Sequence, residues 1–147
     1  MTPRTFEYAF TVRLHDIDGA GIVFFARIQQ LAHDAYEALL DALGHSIAGY
    51  IVEGRYIIPI GSVEADYRRP LRQGEVIRAR VSLMEMTGSS YRVRIRLVGP
   101  KSDGPREDLR AEIRMRCVAV LRATMRPTAI PPDLRQALAT VLESPPA

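Results

Sequence analysis

Cysteine, lysine and long apolar runs are scarce in this sequence, and each shortage narrows the chemistry. The 147-residue chain carries one cysteine, Cys117, so it can form no internal disulfide and no cysteine-based zinc framework. Cys117 sits in an alternating, strand-like run where a small apolar residue serves, and it reads as a structural thiol. Lys101 is the one lysine among 20 basic residues, which argues against Schiff-base chemistry. No apolar run approaches bilayer length, and the opening Met1 to Glu7 lacks the apolar centre of a signal peptide. The chain is therefore expected in the cytoplasm, with no membrane partner. A net charge of only +3, without a basic block or a basic-aromatic motif, argues against a nucleic-acid partner. His15, His33 and His45 are too scattered for a metal signature, and no metal or redox cofactor is expected. Gly19 and Gly21 precede a helix as a dinucleotide loop would, but Phe24 occupies the third glycine position and no βαβ repeat follows. The segment Gly44 to Gly49 misses the nucleophile-elbow spacing by one residue.

At 47% hydrophobic, the chain is long enough for one domain with its own core. Phe6, Tyr8, Phe10, Val12 and Leu14 alternate with Glu7, Thr11, Arg13 and His15, the two-residue period of a strand. Ile28, Leu31, Ala35, Leu39 and Leu43 then recur at helical spacing, with Gly44 as the stop. Four strands follow, Ile57 to Tyr67, Val76 to Met86, Tyr91 to Val98 and Leu109 to Leu121, separated by Gly- and Pro-containing turns. A short helix from Pro132 to Leu142 and a Ser144-Pro145-Pro146-Ala147 tail end the chain. The order strand, helix, four strands, helix suggests an antiparallel sheet against one long helix.

The richest segment is His15 to Phe25, where two carboxylates and two glycines stand at the hand-over from strand to helix. Free N–H groups and the macrodipole at a helix start polarise a carbonyl oxygen bound there, and glycine lets the backbone approach a ligand. These are parts of an acyl-transfer site. The alternative is that Asp16 or Asp18 merely caps the helix.

Asp16-Ile17-Asp18-Gly19-Ala20-Gly21-Ile22-Val23-Phe24-Phe25 resembles the opening signature of the 4-hydroxybenzoyl-CoA thioesterase family. Pro59 to Tyr67 with Arg69-Pro70-Leu71, and Arg110 to Arg114, add to the likeness, which covers residues 6 to 135. His33-Asp34-Ala35-Tyr36-Glu37 is most similar to the helix of the 1,4-dihydroxy-2-naphthoyl-CoA hydrolases, whereas Ser62 fits the hydroxybenzoyl enzymes better.

The resemblance implies an α+β hotdog fold, a five-stranded antiparallel sheet wrapped around one long central helix. It implies a single domain over 1–147, with its core over about 6–122 and a C-terminal helix and tail over 131–147. It further implies hydrolysis of an acyl-CoA, aromatic in its acyl group, with coenzyme A as part of the substrate and no separate cofactor. Asp18 would be nucleophile or general base, the Phe25 N–H the oxyanion donor, and Gly21 the residue that keeps the approach open. His33, Ser62 and Asp16 are the substrate-side candidates, Asp16 chiefly by fixing the loop. The partner would be a second copy of the chain, as a homodimer building a homotetramer. The alternatives are a thioesterase for aliphatic acyl-CoA or acyl carrier protein, and a non-catalytic acyl-CoA-binding protein. The hairpin Met86 to Ser90 has no basic residue where the hydroxybenzoyl enzyme holds coenzyme A phosphates. Arg114, Arg116, Arg122 and Arg126 remain candidates for that role by charge alone.

Overall fold

The computed structural model describes residues 5–101 and 103–143, so the Ser144–Ala147 tail and the opening Met1–Arg4 lie outside the described residues. Strand β1 (Phe6–Thr11) leads through a 3₁₀ turn, Leu14–Asp16, to helix α1 (Phe25–Ala42) and a shorter helix α2 (Ile47–Glu53). Strands β2 (Tyr56–Ile57), β3 (Ile60–Tyr67), β4 (Val76–Met86), β5 (Ser90–Pro100) and β6 (Glu107–Val118) follow. Two short strands, β7 (Val120–Leu121) and β8 (Arg126–Pro127), precede helix α3 (Pro132–Ala139). Five strands form one antiparallel sheet in the order β1-β4-β5-β6-β3, and β2, β7 and β8 form a small second sheet.

Helix α1 forms because its apolar residues fall on one stripe. Ile28, Leu31, Ala32, Ala35, Tyr36, Leu39 and Leu40 are all buried, each large side chain contributing about 1.5–3 kcal/mol. The stripe packs on the inner face of the sheet, made by Ile77, Ala79, Val81 and Leu83 of β4, Val93, Ile95 and Leu97 of β5, and Ala111, Ile113, Met115 and Cys117 of β6. The Tyr36 and Tyr91 hydroxyls, buried within this layer, satisfy each other at 2.5 Å. Gly44, at φ 80°, ends α1 as the sequence leads one to expect, with His45 N–H donating to Leu40 O at 2.9 Å. This is the expected α+β hotdog arrangement, one long helix against a five-stranded antiparallel sheet.

Four details depart from the sequence reading. Leu14, expected on the buried side of β1, is exposed, because the Asp16 carboxylate takes the Arg13 N–H at 2.9 Å and folds the chain into a turn. The expected strand Ile57 to Tyr67 divides into β2 and β3 around Pro59, and Leu109 to Leu121 divides at Ala119 into β6 and β7. Helix α2 was not foreseen; the Ser46 side chain caps it at 3.0 Å and Gly54 closes it in the left-handed conformation. Helix α3 ends at Ala139 rather than Leu142 because the following residues join the sheet. Leu83 N–H donates to Val141 O at 2.9 Å, and Glu143 N–H donates to Leu83 O at 2.8 Å.

Candidate active site

The loop between β1 and α1 closes on itself before the helix begins. Ile17 and Val23 form an antiparallel bridge, Asp18 N–H donates to Ile22 O at 3.0 Å, and Gly21 N–H donates to Asp18 O at 3.1 Å. Gly21 has φ 81°, a conformation that side-chain-bearing residues adopt at a cost. Val23 N–H donates to Leu71 O at 3.0 Å and ties the loop to the segment before β4. Asp18 is exposed; its Oδ1 accepts the Ala20 N–H at 2.8 Å, and Oδ2 makes no hydrogen bond among the described residues.

Neither aspartate caps α1, so the capping alternative is set aside. The N-cap is Phe24, which offers no side-chain acceptor, and no acidic residue lies in the first turn. The Phe25 N–H has no acceptor among the described residues. It stands where the helix dipole adds its positive end. Asp18, the Phe25 N-terminal turn, Ile22, Ile28 and Tyr67 line one cleft of about 390 Å³ with Arg68, Arg69 and Pro70 on its rim.

Asp16 does not line this cleft and holds the loop from behind it. It is buried, its Oδ2 takes the Arg13 N–H at 2.9 Å, and its Oδ1 takes the Arg27 Nε–H at 2.7 Å. Burial opposes its ionisation, but the Arg13 N–H and the Arg27 guanidinium outweigh that and hold its carboxyl below the usual range.

Ser62 does not line this cleft either. A bulge at Gly61 shifts the β3–β6 register between Ile60↔Cys117 and Ser62↔Arg116, so Ser62 pairs with an outward-facing residue. It therefore lies on the sheet face opposite α1, with Glu64 and Asp66, while Val63, Ala65 and Tyr67 share the α1 side. His33 sits about two turns beyond Phe25, with Nδ1 3.4 Å from the Glu37 carboxylate and its ring edge-on to Tyr36. It does not line the Asp18 cleft. Within one chain the structure thus brings together Asp18, Gly21 and Phe25, and not His33 or Ser62.

Tyr67 is the site residue the sequence reading missed. Its hydroxyl accepts from Gln29 Nε2 at 3.0 Å and donates to Phe25 O at 3.3 Å, and its ring meets Phe25 edge-on at 6.3 Å. It clamps the end of β3 to the first turn of α1. Its place at the end of the matched segment Pro59 to Tyr67 was the one available signal. Of the candidate phosphate arginines, Arg114 is spent on Asp66, Glu64 and Glu112, whereas Arg116, Arg122 and Arg126 make no salt bridge among the described residues. Among the described residues no group of three metal-ligating side chains occurs, and no helix is long and apolar enough to cross a membrane.

The family model described as Thioesterase-like superfamily matches residues 12–138. A 1,4-dihydroxy-2-naphthoyl-CoA hydrolase of Rippkaea orientalis is 32% identical over 132 residues, covering 88% of this chain and 92% of that protein. One from a Picosynechococcus species is 28% identical, covering 86% and 87%. Among solved structures, a 1,4-dihydroxy-2-naphthoyl-CoA thioesterase from Synechocystis superposes with a TM-score of 0.80 at 23% identity, covering 92% of this chain and 96% of its own. A 4-hydroxybenzoyl CoA thioesterase mutant complexed with 4-hydroxybenzoyl CoA gives 0.81 at 19% identity, covering 92% and 99%.

Proposed function

The chain belongs to the thioesterase-like superfamily, and on that premise we propose that it hydrolyses the thioester of an aromatic acyl-CoA with Asp18 as its catalytic carboxylate. The observation that carries this is that one cleft is lined by both Asp18 and Phe25, whose N–H has no acceptor among the described residues. A thioester carbonyl seated there directs its oxygen to the Phe25 N–H, which stabilises the charge that develops as the carbon becomes tetrahedral. Asp18 then either attacks the carbon, giving a mixed anhydride that water cleaves, or removes a proton from the attacking water. In both routes the thiolate of coenzyme A departs and a free acid remains. Gly21 holds the loop in the geometry that keeps Asp18 beside the helix start, and Asp16 fixes that loop from behind.

The substrate class draws support from the curated relatives, which act on an aromatic acyl-CoA. The cleft itself also suits it, being walled by Phe24, Phe25, Ile28 and Tyr67. A second copy of the chain completes the site in this reading. Strand β3 is a sheet edge that exposes Val63 and Tyr67, the kind of edge that pairs with another strand. Full antiparallel pairing of two β3 strands sets Tyr67 of one copy opposite Ile60 of the other. That brings the apolar pocket of about 260 Å³ formed by Ile47, Tyr50, Ile51, Tyr56 and Ile58 beside the other copy's Asp18 cleft. Such a pocket suits an aromatic ring, and His33 would be reached only by a ring lying deeper along α1.

Thiol release from hydroxybenzoyl-, dihydroxynaphthoyl-, phenylacetyl- and straight-chain acyl-CoA esters, by wild type and Asp18→Asn, tests the reading. Rapid aryl turnover that falls by about 10³-fold or more in the variant is the expected result. Binding without turnover, unchanged by the substitution, would refute it.

A further inference from the structure

We propose that the phosphate-bearing end of the substrate is held by Arg68 at the rim of the Asp18 cleft and by Arg69 and Arg72 in a second cleft that continues it across Pro70. The inference rests on the acyl-CoA reading above. The two clefts share Arg69 and Pro70 as a common wall, and the second, about 730 Å³, opens beyond them to Arg72 and Lys101. A linear thioester fixed at Asp18 can leave toward the aromatic wall or over Pro70, and only the second way leads to cations.

Among the described residues these cations are at most loosely paired, because Glu75 and Asp108 beneath them are matched by Arg110. Arg110, buried in the floor, spends all five of its N–H donors. It gives Nη1 and Nη2 to the Glu75 carboxylate at 2.9 and 2.6 Å, and Nε to Asp108 at 2.6 Å. It also donates to Pro70 O at 2.7 Å and Pro100 O at 2.6 Å. Asp103 lines the same cleft as Lys101, Arg69 and Arg72. Arg68 and Arg72 make no salt bridge among the described residues. Arg69 reaches Asp108 only at 3.4 Å with its side chain 66% exposed. The Arg68 and Arg69 N–H groups both donate to Arg110 O, at 2.8 and 3.1 Å, so the turn that presents these side chains is anchored to the buried guanidinium's own backbone. Guanidinium forks on a fixed turn suit a diphosphate and a sugar phosphate.

Arg122 and Arg126 on the β7–β8 turn are the competing cations, since pairing of two β3 strands carries the second copy's small sheet toward this cleft. The test is steady-state kinetics on one acyl group carried by coenzyme A and by N-acetylcysteamine, which lacks the phosphates. In the triple variant Arg68→Gln, Arg69→Gln, Arg72→Gln, KM for the CoA ester rises about tenfold or more with kcat nearly unchanged, and KM for the truncated ester stays put. Raising the ionic strength lifts KM of the wild type for the CoA ester and that of the variant much less. Equal KM in variant and wild type, equal losses on both esters, or a rise confined to Arg122→Gln and Arg126→Gln would each overturn the proposal. A wild type that hydrolyses neither ester overturns the thioesterase reading and the proposal with it.

Discussion

Replacing Arg110 with methionine removes one side chain and strands four partners. The guanidinium is 5% exposed and bridges Glu75, Asp108 and the Pro70 and Pro100 carbonyls. It is also why Gly99 has no side chain, since a Cβ there would lie 2.9 Å from the Arg110 guanidinium carbon. Methionine fills much of the volume but offers no donor, leaving Glu75 without its cation, Asp108 with only the longer Arg69 contact, and two carbonyls without a hydrogen. Breaking a buried ion pair on one side costs about 3–5 kcal/mol, about a fifth or more of a typical domain's stability. For a chain of this size that corresponds to a fall in Tm of about 8–15 °C. Urea unfolding at neutral pH measures the loss directly. Adding Glu75→Gln to Arg110→Met should return part of it, because the stranded charge is then gone. A loss under about 1 kcal/mol at unchanged m-value, or no recovery in the double variant, would refute the claim that this guanidinium holds the β3–β4 connection in place.

Tyr67→Phe keeps the ring on Phe25 but drops the hydroxyl that joins Gln29 to the first turn of α1. Thioester kinetics should show kcat reduced about 5- to 10-fold with KM little changed. Burial pushes the Cys117 thiol up to about 11, so a disulfide exchange reagent should leave the native protein untouched and label it only on unfolding. Burial of Glu112 disfavours its charge, yet donors from Arg96, Arg114 and Arg94 carry its carboxyl down to about 2 from 4.5. A depressed acid stabilises the fold above its unfolded value and loses that contribution as pH falls toward the folded one. Denaturant midpoints should therefore drop between about pH 4.5 and 2, and Glu112→Gln should flatten that slope.

How much of this was legible in the sequence depends on whether a residue's neighbours along the chain determine its surroundings. The α1 stripe from Ile28 to Leu39, its stop at Gly44 and the alternation in β4 and β5 are local patterns, and the structure follows them. Helix α2 has no buried residue, so it leaves no stripe to find. The Gly61 bulge adds one residue to β3, so alternation counted from Ile60 does not give the face on which Ser62 lies. An arginine in an alternating strand reads as solvated, so nothing local distinguishes buried Arg110 from exposed Arg116. The Tyr67–Phe25 contact joins positions 42 apart, beyond the reach of any periodicity. The acid loop and helix start were legible because Asp18, Gly21 and Phe25 are near neighbours in the chain.

The pairing of Leu83 with the segment after α3 bears on the order in which the chain can finish folding. Strand β4 gains its β5 and β1 partners from residues up to Pro100, and beyond Val81 the partners of its other side among the described residues are Val141 to Glu143. Glu143 then locks in place through Ser82 at 2.8 Å and Arg94 at 2.8 Å. During synthesis, therefore, the hydrogen bonds that Leu83 makes on this side form only when these last described residues have been made. Chains cut short before Val141 should hold the sheet and the Asp18 loop yet carry an adhesive edge, and lose yield to aggregation before they lose chemistry.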